Sequence, residues 1–241
     1  MAPEGFLSKT LLLAAKDIKL EWRGRDTLLP MLVFGLAVTL LLAFTLSDPT
    51  RLDTSARLPG GAVAPADVLA GFLWITILFA GLIGFARSFE LERDEGALDA
   101  LLLVPLDRSG LWLSKALANL AGIVVLEALV IPLFALLFTL RLGARWVILV
   151  LVVVLVDVGF VAVGTLFAAV AAQTRSRELI LPILALPALV PIFIAGVELS
   201  SDLFVGAGLD SVAASGWFGI LVAFDIVAAV LGALTFEFVI D

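Results

Sequence analysis

Six long stretches almost free of charge dictate what this chain of 241 residues can become: Leu28–Leu46, Val68–Ala86, Leu111–Leu140, Trp146–Ala172, Leu179–Leu199 and Ser215–Ile240. A helix needs about 20 apolar residues to cross the hydrocarbon of a bilayer. A spanning segment must also satisfy its own backbone hydrogen bonds in lipid, so helices are expected rather than isolated strands. Hydrophobic residues make up 62% of the chain, well above the roughly half found in soluble domains. The expected fold is therefore all-α: a single membrane domain over residues 1–241 with six transmembrane helices. The third run is longer than a bilayer requires and implies tilt or protrusion.

Ahead of the first run, Leu7, Leu11, Ala14, Ile18 and Trp22 recur at helical spacing, with most charges elsewhere on the wheel. That pattern predicts an amphipathic helix within residues 1–26, lying in the membrane interface with Trp22 at headgroup depth. Orientation follows from the basic residues. Lys9, Lys16, Lys19, Arg23, Arg25, Arg87, Arg93, Arg108, Lys115, Arg175 and Arg177 fall on one side of the six-span plan. Arg51, Arg57, Arg141 and Arg145 fall on the other. Basic residues gather on the cytoplasmic face, so both termini are expected in the cytoplasm. The connections Ser47–Asp67, around Gly143, and Ser201–Ala214 are then external.

Absent residue types exclude whole chemistries. The chain has no Cys, no His and no Tyr, and methionine only at positions 1 and 31. Serine–histidine and cysteine–histidine catalysis, thiolate metal sites and histidine metal sites are therefore ruled out. No catalytic, cofactor or metal site is expected on this chain, and Met31 is the one internal residue that resembles a haem axial ligand. The net charge of −7 argues against a nucleic-acid partner.

Between the second and third runs lies "RSFELERDEGALDALLLVPLDRSGLWLSKAL", Arg87 to Leu117, where an apolar chain turns acidic. Read as a helix, Leu91, Leu98, Leu101 and Leu102 share a side, with Glu92 and Asp99 off it. Pro105 ends that helix by withdrawing a donor and by restricting Val104. Asp107 is placed to cap the span that follows, and Lys115 is expected to snorkel to the inner headgroups. A simple connection needs only a few residues, whereas segment 87–110 uses over twenty and is expected to present an apolar face. The anionic inner leaflet repels its carboxylates, which leaves a protein as the expected partner.

Phe89, Glu92, Gly96, Leu98, Leu101–Leu103, Pro105 and the later Lys115 form a pattern that resembles CcmB, the haem exporter permease family of bacterial cytochrome c maturation, within the ABC-2-type permeases. The fairly specific piece is "EGALDALLLVPL", and the proline-rich fifth span "LPILALPALVPIF", with Pro182, Pro187 and Pro191, agrees. The resemblance implies a homodimer in the bacterial inner membrane, bound to a cytoplasmic CcmA-like ATPase that carries the ATP and Mg. It further implies CcmC-like and CcmD-like membrane partners, a CcmE-like haem chaperone, and haem as cargo of the complex, with ATP hydrolysis coupled either to haem delivery or to release of the haem-loaded chaperone in the periplasm. The chain has no G-x-x-x-x-G-K-[ST] loop to cradle ATP, consistent with a motor on another chain. By resemblance, Phe89, Glu92, Arg93, Asp94, Gly96, Leu98 and Leu101 form the ATPase contact, with Pro105 as a hinge. With no His, Cys or Tyr, mechanical transmission is favoured over direct haem ligation.

Glu127, Asp157 and Asp225 fall inside spans three, four and six. A charged residue at the bilayer centre costs about 2.5–3.5 kcal/mol on insertion scales, so each is expected to face protein or a polar cleft. These residues serve either a polar path or proton site, or a neutral hydrogen bond between helices. They also support a competing expectation, a proton-coupled secondary carrier. An ABC-2 exporter of lipid, polysaccharide or drug shares the six-span plan and is the other alternative.

Overall fold

The computed structural model describes residues 5–46, 65–89, 108–140, 142–174 and 177–240. Each apolar run closes on itself as a helix: α1 (Phe6–Gly24), α2 (Leu28–Leu46), α3 (Pro65–Ser88), α4 (Arg108–Leu137), α5 (Trp146–Ala172), α6 (Arg177–Val205), α7 (Leu209–Ala214) and α8 (Gly216–Ile240). Among the described residues, α2, α3, α4, α5, α6 and α8 are long and apolar enough to cross a membrane, and none forms a strand. Hydroxyls inside the spans bond back to their own helix, as Thr39 Oγ1 does to the Gly35 carbonyl (2.7 Å) and Thr76 Oγ1 to that of Phe72 (2.7 Å). No polar side chain at these points is left facing lipid unsatisfied.

Helix α5 is the hub, packed against α3, α4, α6 and α8, while α2 lies against α3 and α4, and α1 runs along α4. Lipid offers helices no hydrophobic reason to associate, so contact must come from close packing. Here glycines receive aromatic rings. Gly81 of α3 seats the Phe160 ring of α5, and Gly164 of α5 seats the Phe85 ring of α3, with no room at either glycine for a Cβ. The two rings meet edge-on at 5.0 Å. Phe160 continues edge-on to Phe193 of α6 at 5.0 Å, and Phe193 to Trp74 of α3 at 5.8 Å. Trp74 Nε1 then donates to Ser200 Oγ of α6 (3.0 Å). This run of four rings binds α3, α5 and α6 into a slab. By contrast, α2 and α8 expose long apolar edges, with Val33, Leu41 and Phe44 on one and Ile226, Val230 and Leu234 on the other.

Several helix ends fall a few residues from the sequence reading, and two of them have a visible cause. The third span was expected to reach Leu140, but α4 stops at Leu137. Thr139 turns left-handed (φ 53°) and the Leu140 N–H donates to the Ala135 carbonyl at 2.9 Å, closing the helix end. The fifth span was expected to end at Leu199, yet α6 continues to Val205 because Ser200 and Ser201 are buried inside the bundle rather than released to a loop. It ends where Gly206 takes φ +117°, a conformation that side chains resist. Through Pro182, Pro187 and Pro191 the helix is continuous.

Candidate functional site

The connection between α3 and α4 is rooted in a cluster of polar contacts at one end of the bundle. Of the residues expected to touch an ATPase, Phe89 is described; Glu92, Arg93, Asp94, Gly96, Leu98, Leu101 and Pro105 lie outside the described residues, as does Asp107. Phe89 follows directly on α3 and is 3% exposed. The Lys115 Nζ stands 5.7 Å from the centre of its ring, a cation–π contact.

Lys115 corrects the snorkelling expectation. It is 5% exposed, and its ammonium pairs with Asp17 Oδ2 of α1 at 2.8 Å. The reason is tertiary: α1 folds back along α4 and offers a carboxylate before headgroups can. Asp17 also lies 3.1 Å from Lys16 Nζ. One node thus ties α1, the end of α3 and the first turns of α4 together. Sequence reasoning missed Asp17, although it shares a helix side with the buried Thr10 and Ala14, which was the available signal.

Helix α1 presents three faces. Thr10 and Ala14 are buried, Leu7, Leu11 and Trp22 remain exposed, and Lys16, Lys19 and Arg23 project elsewhere, also exposed. The apolar stripe read from the sequence is therefore only partly spent on packing. Where α1 meets α2, Arg25 adopts a left-handed conformation (φ 61°). Glu21 Oε1 then accepts the backbone N–H groups of Thr27 (2.7 Å) and Leu28 (2.8 Å). These donors belong to the start of α2 and have no intrahelical acceptor, so the carboxylate fixes the angle between the two helices. Arg87 Nη1, at the end of α3, donates to the Asp26 carbonyl in the same turn (3.3 Å).

A cavity of about 450 Å³ opens among α1, α2, α3 and α4 beside this node. Lys16, Asp26, Arg87 and Lys115 line it together with Leu28, Phe85 and Ile123. Met31 reaches it too, but its sulfur is seated on Gly84 of α3 and the residue is 2% exposed. Packed in that way, the thioether is part of the α2–α3 contact.

The intramembrane carboxyls divide into a pair and a single group. Glu127 of α4 and Asp157 of α5 are 4% and 2% exposed, and their carboxyls lie side by side across the α4–α5 contact. Glu127 Oε1 and Asp157 Oδ1 have no further partner. Nearer the Phe89 end of the same interface, Asn119 Nδ2 donates to Thr165 Oγ1 (3.0 Å). Asp225 of α8, 6% exposed, sits apart against Gly159, whose missing side chain admits its Oδ1. Residues 157 and 159 point to opposite sides of α5, roughly 200° apart, so the three carboxyls do not line one route. Among the described residues, no three acidic side chains gather as a metal site would require.

The family model described as "CcmB protein" matches residues 8–240. A "Heme exporter protein B" of Rhodobacter capsulatus is 31% identical over 188 residues, which is 78% of this chain and 80% of that protein. One from Paracoccus denitrificans is 34% identical over 165 residues, 68% of this chain and 72% of the relative. The "Heme exporter protein B" of Haemophilus influenzae is 27% identical over 190 residues, covering 78% and 77% respectively.

Proposed function

Because the chain belongs to the CcmB family, we propose that it is the multi-pass inner-membrane permease subunit of a haem ABC transporter serving c-type cytochrome assembly. The observation that carries this reading is a family match over residues 8–240 on a chain with six candidate spans and no ATP-binding loop. Energy then comes from a CcmA-like cytoplasmic ATPase that holds ATP and Mg. Two copies of this chain form the membrane part, joined by CcmC-like and CcmD-like proteins, and haem passes to a CcmE-like chaperone as the cargo of the complex. The gathering of basic residues at the Phe89 end supports a cytoplasmic location for that end and both termini.

The mechanism is leverage. Segment 87–110 is the ATPase-coupling element: Phe89, Glu92, Arg93, Asp94, Gly96, Leu98 and Leu101 form its contact and Pro105 its hinge. The apolar residues supply affinity, and the carboxylates steer toward basic groups on the ATPase. Phe89 is the anchored root of the element, since it is buried beneath Lys115. Movement of the segment therefore reaches α4 through Lys115, α1 through Asp17 and the slab through α3. Such a rigid-body shift needs no ligand on this chain to the iron of haem.

Co-purification tests the reading. The wild-type chain should retain an ATPase from native membranes, and Glu92→Lys combined with Leu98→Asp should release it while the membrane protein stays folded. Loss of the gene should remove c-type cytochromes without a general envelope defect. A variant pair that keeps its ATPase and still matures cytochromes refutes the assignment of the coupling element.

A further inference from the structure

We propose that the cavity among α1, α2, α3 and α4 is a headgroup site for an amino-phospholipid of the phosphatidylethanolamine class. The proposal needs the bundle to sit in a membrane, but it does not depend on the ATPase reading. At about 450 Å³ the cavity falls within the range of small-molecule sites, roughly 300–1,000 Å³. Its wall is both apolar and charged, as an amphiphile is. Leu28 and Phe85 give it apolar lining, while Lys16, Lys115 and Arg87 bring three cations to it.

Charge selects the headgroup. Arg87 is exposed and uses one of its five N–H groups on the Asp26 carbonyl, so its planar fork remains available to a phosphate. Of the carboxylates lining the cavity, Asp17 faces Lys115 and Glu21 faces two backbone donors. The Asp26 carboxylate, exposed on the turn beside Arg87, is left to receive a primary ammonium. A phosphate joined to an ammonium by two carbons matches that adjacent pair. Phosphatidylglycerol lacks the ammonium, and the quaternary nitrogen of phosphatidylcholine has no N–H to donate. The exposed Trp22 lines the same cavity, which puts the site at headgroup depth. Free phosphate would leave the apolar lining uncovered.

The test uses the full chain purified and delipidated in detergent, with dioleoyl phosphatidylethanolamine, phosphatidylcholine, phosphatidylglycerol or inorganic phosphate added. Lipid retention is read by native mass spectrometry and protection by thermal unfolding. Phosphatidylethanolamine should bind at least about tenfold more tightly than the other two lipids, with the corresponding rise in midpoint. Arg87→Gln and Asp26→Asn should each weaken it about tenfold, and Asp26→Asn should also narrow the preference over phosphatidylglycerol. Gly122→Leu fills the cavity without altering charge, since the neighbour nearest a Cβ there is Leu28 Cδ2 at 3.6 Å, and should abolish retention. These variants disturb different helices, so any one that keeps wild-type helix content decides the matter. Equal retention of the three lipids, undiminished binding in the variants, or equal protection by inorganic phosphate overturns the proposal.

Discussion

Adding one methyl group at Gly164 tests whether the slab of α3, α5 and α6 is held as described. In Gly164→Ala the new Cβ collides with the Phe85 ring. The ring cannot swing away cheaply, because Phe85 and Phe160 are 1% and 0% exposed, meet at 5.0 Å, and Phe160 is itself seated on Gly81. Overpacking a full core costs about 1–3 kcal/mol, and two interlocked rings place this substitution in the upper half of that range. Phe85→Leu alone should cost about 1–2 kcal/mol, below the range for complete truncation of a buried ring. In the double variant the smaller side chain accommodates the methyl, so Gly164→Ala should cost almost nothing further, giving a coupling of about 1–3 kcal/mol. Gly71→Ala on α3 is the control. Nothing lies within 4 Å of its Cβ position, and a helical Gly→Ala exchange gains roughly 0.5–1 kcal/mol. Unfolding in mixed micelles at increasing SDS measures all four. If Gly164→Ala falls within about 0.5 kcal/mol of wild type, or the double variant is additive, the interlock is wrong.

Other perturbations follow from single contacts. Glu127→Gln keeps a group that can donate to Asp157 and should stay within about 1 kcal/mol of wild type, whereas Glu127→Ala should cost about 1–3 kcal/mol by stranding its partner; micellar unfolding separates them, and normal cytochrome maturation in Glu127→Gln argues against a proton-coupled carrier. Glu21→Ala removes the acceptor of the Thr27 and Leu28 N–H groups, so it should cost about 0.5–2 kcal/mol as other cap losses do and speed amide exchange at those two residues. Gly206→Ala forces a side chain into φ +117° and should lower stability by about 1–3 kcal/mol, read as an earlier thermal midpoint.

The spans were legible because lipid leaves its mark on composition: twenty-odd apolar residues mean a crossing whatever they pack against. Helix ends were less legible because tertiary contacts set them. Nothing local predicts that Ser200 stays helical and buried; that depends on Trp74, 126 residues away, donating to it. The positions of Glu127, Asp157 and Asp225 were visible as charges out of place. Pairing the first two requires knowing that α4 and α5 run antiparallel, with Asn119 opposite Thr165 and Glu127 opposite Asp157. Lys115 was read by its distance from a span end, which says nothing of α1 returning with Asp17. The ring-into-glycine sockets were invisible for the same reason, since hydropathy counts Phe and Gly without saying which will meet.

Arg145 bears on how the chain is built. Standing in the short turn before α5, it donates through Nη1 to the Leu203 carbonyl (2.6 Å), an acceptor made 58 residues later. The same carbonyl accepts the backbone N–H of Gly206 (3.2 Å), so Arg145 supplies a second donor at the end of α6. Residue 145 precedes 203 in the chain, so during synthesis the donor is made before the C-terminal end of α6 that it holds. A chain lacking Arg145 would complete α6 without that cross-link to the turn before α5.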